Sequence, residues 1–362
     1  YQTQKMSLKV STVGIIGGGQ LGMFLAHSCN KLGLKVFVYS DSKRVPAEKY
    51  ADKMFYGSFE DVESLKIFSS EVDLITYEFE NVSTKALNKL KGKKIYPPIS
   101  ALTISQDRKK EKQFFSKNKI NHAGIGLLNN KNSLKRLKTS IQYPVILKTT
   151  RFGYDGKGQA LVKNTKNLER QWKENGYQDC IIEKKINLKK EVSVICARDI
   201  KRNSYFYPTF TNVHKNHILF ETKSPSSIDA EIEGKLLKIS KKIITKLNYI
   251  GLLTIEFFID KENTIYVNEI APRVHNSGHI TLDNANISQF ELHIKAITGK
   301  KILKPKILKK GLMRNLIGNE IKRVKSIKSM RKYKGFKKNV KYDYGKKIVK
   351  GGRKMGHINF IS

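Results

Sequence analysis

No run of about 18 apolar residues occurs in the 362-residue chain, and that is the length a helix needs to cross a bilayer, so no segment reads as a membrane span. No basic-then-apolar stretch at the N-terminus reads as a signal peptide. Cysteine is scarce: Cys29, Cys180 and Cys196 lie far apart without metal-ligand spacing, and are expected to be reduced, buried thiols of a cytoplasmic protein. Acidic residues are outnumbered, 31 Asp and Glu against 70 Lys and Arg, for a net charge of +39. That excess invites a nucleic-acid reading. The lysines are spread along the whole chain, however, although they thicken between residues 300 and 354. Ile and Asn are also abundant, as when an AT-rich genome raises Lys, Ile and Asn together. Weak non-specific RNA binding at low salt is expected, and no specific nucleic-acid partner. Repeats and long linkers are missing too. What remains is a hydrophobic fraction of 39% and a length that suits a soluble protein of two or three domains. The residues before Met6 read as additions ahead of a natural start.

The most informative stretch begins at Val145-Ile-Leu147, a strand entered through Pro144 and carrying Lys148 at its end. Three glycines follow, Gly153, Gly156 and Gly158. Few side chains keep a ligand away from such a loop, so its N–H groups are free to face phosphate oxygens, with the Lys148 ammonium beside them. Tyr154-Asp-Gly-Lys-Gly158 also fits an ordinary surface hairpin turn.

Upstream, Val13-Gly-Ile-Ile16 reads as a buried strand, residues 23–32 as a helix ended by Gly33, and Lys35-Val-Phe-Val-Tyr-Ser40 as the next strand, followed by Asp41. Gly17, Gly19 and Gly22 have dinucleotide-fingerprint spacing with an acid about 20 residues on, which taken literally predicts NAD. The fingerprint is weak alone, because any tight strand-to-helix turn favours these glycines. Val72-Asp-Leu-Ile-Thr76 is a further strand, Ser83 caps a helix over 84–90, and Ile95-Tyr96 is stopped by Pro97-Pro98. Residues 1–105 thus read as an open parallel α/β domain. A capped helix over 105–115 carries Arg108. A small lobe of short strands spans about 120–185, and residues 228–247 read as an amphipathic helix.

Two carboxylates stand on neighbouring strands. Leu252-Leu-Thr-Ile-Glu-Phe-Phe-Ile259 alternates around Glu256, and Thr264-Ile-Tyr-Val-Asn-Glu-Ile270 carries Asn268 and Glu269. The turn 260–263 joins them as a hairpin, so Glu256 and Glu269 are expected to face each other. Facing carboxylates repel unless a cation lies between them, and Mg²⁺ with nucleotide phosphates is the usual answer. The competing reading is one acid in and one out on a solvated hairpin. His275 and His279 lie four apart, but Pro272 and Gly278 argue for a loop rather than a helical metal pair.

A glycine loop after a lysine-bearing strand, with two facing glutamates about 100 residues on, resembles the ATP-grasp superfamily. Gly14-Ile-Ile-Gly-Gly-Gly-Gln-Leu-Gly22, Glu78-Phe-Glu-Asn81, Gly153-Tyr-Asp-Gly-Lys-Gly-Gln159, Asn268-Glu-Ile-Ala-Pro-Arg-Val-His-Asn-Ser-Gly-His279 and Arg353-Lys-Met-Gly-His357 resemble, in order, the N5-carboxyaminoimidazole ribonucleotide synthetase family. The resemblance implies an ATP-grasp fold with mixed α/β lobes. An N-terminal Rossmann-like domain (1–105) that carries no dinucleotide comes first, then the ATP-grasp domain (106–300), then a small β-rich C-terminal segment (301–362). Family members usually continue through a further C-terminal segment, so the chain is expected to be truncated or naturally short. They also usually have Pro where Val274 stands.

The implied reaction is carboxylation of 5-aminoimidazole ribonucleotide by bicarbonate and ATP. The implied metal ligands are Glu256 and Glu269. ATP contacts are implied for Arg108, Lys148, residues 153–159 (Gly153, Tyr154, Asp155, Gly156, Lys157, Gly158, Gln159), the edge Glu183, Lys184, Lys185 and Ile186, and Glu191, His214, Asn268 and Glu269. Tyr154, Asp155, Lys157 and Arg273 are implied at the reacting centre. Glu80, His275, Asn276 and Ser277 are implied around the bicarbonate and imidazole, with Lys346 and Arg353 on the acceptor phosphate. The resemblance also implies a cytoplasmic homodimer. Alternatives are another ATP-grasp ligase, such as a formate-dependent glycinamide ribonucleotide transformylase, or a basic RNA-binding protein without enzymatic activity.

Overall fold

A computed structural model describes residues 10–151, 153, 158–324, 333 and 335–362. Three sheets organise the chain. The first is parallel and five-stranded, in the order Lys53–Tyr56, Lys35–Ser40, Thr12–Ile16, Leu74–Tyr77, Lys94–Ile95. Its central strand shows the expected alternation. Val13 and Ile15 pack towards helix Gln20–Lys31, while Ile16 joins Leu65 and Phe68 on the other face. Gly14 is required there, since a Cβ would lie 2.7 Å from the Phe68 ring. Ser83 caps its helix as expected, though the helix is the single turn Thr84–Leu87.

The expected helix over 105–115 is two helices. Ile99–Ser105 ends first, and Arg108–Lys117 starts afresh from Asp107, whose carboxylate accepts from the N–H groups of Lys109 and Lys110. Asp107 is the better cap because an ionised acceptor at a helix N-terminus satisfies free N–H groups and the dipole together.

The second sheet is antiparallel and four-stranded, in the order Gly124–Leu128, Cys180–Lys184, Val145–Thr149, Gln159–Val162. It packs on helices Lys131–Ser140 and Thr165–Glu174 around Leu134, Leu147 and Trp172. The third is antiparallel and holds the hairpin of Gly251–Asp260 and Ile265–Ala271 at one edge. It continues through Leu188–Arg198, Phe210–Lys215 and Ile218–Ser224 into the C-terminal strands Gly311–Ile317, Lys354–Ile361 and Lys338–Asp343. The C-terminal strands therefore extend the large sheet. Helix Ala230–Lys246 covers one face through Leu236 and Ile243. Phe24 meets Phe290 at a ring distance of 4.9 Å and ties the parallel unit to helix Gln289–Thr298, which packs on the large sheet. Cys29, Cys180 and Cys196 are buried free thiols, and burial raises each of them. Among the described residues no helix is long and apolar enough to cross a membrane.

Candidate active site

A cavity of about 840 Å³ opens where the three sheets meet. At its floor Glu256 and Glu269 are directly paired across the hairpin. Burial disfavours both charges. For Glu256 the His275 ring, with Nε2 at 3.1 Å, outweighs that cost and holds the carboxyl low. Glu269 is raised, by burial and then by Glu256 itself. A buried acid held up by a like charge is short of a cation. Two carboxylates on one wall of an anion-accepting cavity suit Mg²⁺, which takes few protein oxygens and leaves room for phosphates.

Lys148 ends the strand Val145–Thr149 and reaches Glu183 at 2.6 Å and Asn268 Oδ1 at 3.5 Å. Glu183 is also 3.3 Å from Lys112. Burial opposes the Glu183 charge, yet Lys148 and Lys112 together hold its carboxyl at about 2. Arg108, at the first turn of its helix, donates to the carbonyls of Thr149 (2.9 Å) and Gly153 (3.1 Å), fastening the start of the glycine-rich stretch. Beside Glu256, Glu191 and His214 form an ion pair from adjacent strands. Burial lowers His214, but the Glu191 contact wins and raises it. Gln159 meets His217 at 2.9 Å, joining the small sheet to the large one.

Within the same cavity Arg273 grips Glu80 with Nε at 2.8 Å and Nη2 at 2.7 Å. Behind it, Ser277 hydrogen-bonds the His275 ring at 2.9 Å and Ser193 at 3.0 Å, fixing the imidazole that faces Glu256. Asn276 accepts from Asn315. Lys346 donates to the Lys354 carbonyl at 2.9 Å; burial, then the neighbouring Arg353 guanidinium, pull it down to about 8. Lys346 and Arg353 thus both line the cavity, with the Glu78 carboxylate acting on Lys346 in the opposite sense, and a pair of cations of this kind suits an anion.

Of the expected residues, Glu80, Arg108, Lys148, Gly153, Gln159, Glu191, His214, Glu256, Asn268, Glu269, Arg273, His275, Asn276, Lys346 and Arg353 line this one cavity. Tyr154, Asp155, Gly156 and Lys157 lie outside the described residues. Others need correction. The Glu183 side chain does not reach the cavity; it is buried against Lys148 and Lys112 because a strand alternates its faces. Lys184 and Lys185 are exposed, and their side chains with that of Ile186 do not line the wall. Gly158 and Ser277 also stand behind it. Ser277 is fully buried, and Gly158, at φ +70°, accepts from the Thr149 N–H at 2.8 Å, where an added Cβ would meet the Thr149 hydroxyl. Val274, where a proline was expected, is buried at the Phe24 cluster.

Sequence reading missed Glu78, Glu111 and Lys112. Glu78 was legible from its place two residues before Glu80 in the Glu78-Phe-Glu-Asn81 motif. Its carboxylate accepts from the Gly19 N–H at 2.9 Å, at the N-terminus of helix Gln20–Lys31. A Cβ on Gly17, at φ +109°, would meet the Glu78 Cγ at 2.5 Å, so the glycines admit this side chain. The place where a pyrophosphate would sit is thereby held by an anion of the protein. Millimolar NAD or NADP is accordingly expected to leave the melting temperature unchanged while ADP raises it. A rise with NAD and none with ADP would restore a dehydrogenase reading.

Family models match along the chain: a ribonucleotide synthetase preATP-grasp domain over residues 10–106, an ATP-grasp domain over 113–290, and a phosphoribosylaminoimidazole carboxylase C-terminal domain over 311–362. The chain is 38% identical to the N5-carboxyaminoimidazole ribonucleotide synthase of Bacillus subtilis, over 97% of this chain and 91% of that one. It is similar to the crystal structure of N5-carboxyaminoimidazole synthetase from Staphylococcus aureus complexed with ADP, with TM-score 0.90 and 36% identity over 97% and 93% of the two chains. It also resembles the Aspergillus clavatus N5-carboxyaminoimidazole synthase in complex with ADP and 5-aminoimidazole ribonucleotide, with TM-score 0.87 and 26% identity over 98% and 94%.

Proposed function

The chain belongs to the N5-carboxyaminoimidazole ribonucleotide synthetase family of ATP-grasp ligases, and from that premise we propose which of its residues carry the reaction. The reaction is the ATP-dependent carboxylation of 5-aminoimidazole ribonucleotide in purine biosynthesis. Bicarbonate oxygen attacks the γ-phosphorus, ADP departs, and the carboxyphosphate passes its carboxyl group to the exocyclic amine with release of phosphate. No protein nucleophile is needed; the enzyme's part is positioning, charge neutralisation and exclusion of water.

The single observation that carries the assignment is the convergence of the paired Glu256 and Glu269, the Lys148 ammonium and the Arg273–Glu80 grip on one cavity. Glu256 and Glu269 hold Mg²⁺, which neutralises charge on the transferring phosphoryl group when bound. Lys148 and Arg108 face the phosphates, with Gly153 and Gln159 beside them. Glu191 and His214 take the ribose, and the 183–186 segment offers its backbone to the adenine. Arg273, His275 and Asn276 shape the bicarbonate and imidazole pocket, with Ser277 holding His275 from behind. Tyr154, Asp155 and Lys157 act at the reacting centre, Asp155 accepting the amine proton. The boundaries at 105 and 300, a cytoplasmic location and a homodimer belong to the same reading.

The acceptor phosphate falls to Lys346 and Arg353. Arg353→Ala is expected to raise the KM for 5-aminoimidazole ribonucleotide roughly tenfold or more, the cost of a charged hydrogen bond of about 1.5–3 kcal/mol, and to leave the KM for ATP nearly unchanged. If both constants move together, or neither moves, the phosphate anchor lies elsewhere. A donor swap tests the reaction as a whole. Turnover must require bicarbonate and must not be supported by formate with glycinamide ribonucleotide; the reverse result identifies a transformylase.

A further inference from the structure

The Glu256–Glu269 pairing does not follow from an ordinary hairpin. From the turn, Ile259 pairs with Ile265, Phe258 with Tyr266 and Phe257 with Val267. The next regular pair would be Glu256 with Asn268, and Glu269 would point to the other face. Instead the register shifts by one residue, Glu256 pairs with Glu269, and Asn268 is the inserted residue of a β-bulge. Both Asn268 and Glu269 then line the cavity.

A bulge on an edge strand leaves backbone groups unpaired, and two neighbouring side chains take them up. The Glu111 carboxylate accepts from the Ile270 N–H at 2.8 Å. The Lys112 ammonium donates to the Asn268 carbonyl. A carbonyl and the N–H two residues on point to the same side of a strand, so the pair of side chains stands in for a missing neighbouring strand. Glu111 and Lys112 are buried, 2% and 8% exposed, and lie 3.4 Å apart. They sit on helix Arg108–Lys117, which carries Arg108, and Lys112 also reaches Glu183.

We propose that Glu111 and Lys112 are positioning residues: they hold the Asn268 bulge in register, so that Glu269 faces Glu256 and Asn268 faces Lys148. The inference rests on Glu256 and Glu269 being the metal ligands. A clamp of this kind acts through hydrogen bonds to the backbone. A glutamine at 111 keeps the acceptor, and an arginine at 112 keeps a donor, whereas leucine or methionine keeps neither.

The test is direct titration of Mn²⁺ into the folded protein with saturating ADP, read by electron paramagnetic resonance. Glu111→Leu is expected to weaken Mn²⁺ binding about tenfold or more, and Glu111→Gln to stay within about threefold of the parent. Lys112→Met is expected to follow Glu111→Leu, and Lys112→Arg to follow Glu111→Gln. ADP affinity measured without metal should change little in all four. A tenfold loss in Glu111→Gln overturns the clamp, as does parental affinity in a folded Glu111→Leu or Lys112→Met. Should neither of those fold, Glu111→Gln and Lys112→Arg decide, because each must bind Mn²⁺ like the parent. Glu269→Gln serves as the control: if it binds Mn²⁺ as the parent does, the metal assignment itself has failed.

Discussion

Glu269→Gln is expected to lower turnover by at least about a hundredfold at saturating Mg²⁺, several kcal/mol of barrier. The change is nearly isosteric and removes one charge from the carboxylate pair on the cavity floor. On the proposed reading that charge would hold the cation, through which transition-state charge on the phosphoryl oxygens would be neutralised. The fold should not suffer. Burial and Glu256 raise the Glu269 carboxyl above its ordinary value, so ionising it works against the folded state, and a neutral amide relieves that cost. The melting temperature of the metal-free protein should therefore stay level or rise slightly. Turnover near that of the parent, measured over a full Mg²⁺ titration, would remove Glu269 from the metal site.

Glu183→Gln should produce the largest loss of stability. Its carboxylate is buried 2.6 Å from Lys148 and 3.3 Å from Lys112. Deleting that charge leaves two ammonium groups, 12% and 10% exposed, facing a neutral amide. Breaking a buried pair in this way costs about 3–5 kcal/mol, or roughly 4–7 °C in melting temperature for a chain of this size. The same group gives a pH dependence. Its folded-state pKa of about 2 lies below the ordinary value of 4.5, so the stabilisation is fully present above pH 4.5. It is lost as pH falls from there towards 2, and Glu183→Gln should flatten that limb of the stability profile. A melting point within about 2 °C of the parent at pH 7, with an unchanged acid limb, would show that the Lys148–Glu183–Lys112 contact contributes little.

The carboxylate hairpin was legible because a strand period of two and a short turn bring residues 256 and 269 to within one position of each other. The bulge that completes the pairing was not, since nothing in Tyr266-Val-Asn-Glu-Ile270 distinguishes a bulged strand from a regular one. Its cause lies more than 150 positions away in Glu111 and Lys112. In the chain those two residues belong to a charged run that looks like a solvated helix face. Only packing against the hairpin buries them. The dinucleotide fingerprint is weak for a related reason. Gly17, Gly19 and Gly22 fit any close approach to a helix N-terminus, and the approaching group is the Glu78 carboxylate. Ser277 and Glu183 stand on segments beside the cavity with their side chains buried away from it, because a motif does not say which side of a strand or loop faces inward. The charge of +39 is spread along the chain, and the cavity uses few of its lysines.

On the proposed reading, one cavity couples cleavage of ATP to carboxylation of an aminoimidazole. Steady-state ADP release in bicarbonate buffer, with and without 5-aminoimidazole ribonucleotide, tests it most directly when ¹³C-bicarbonate incorporation is followed in the same sample. The account predicts little ADP without the ribonucleotide, and one labelled carboxyl group on its exocyclic nitrogen for each ADP formed with it. ADP release that ignores the ribonucleotide, or that proceeds with no label entering it, would contradict the account.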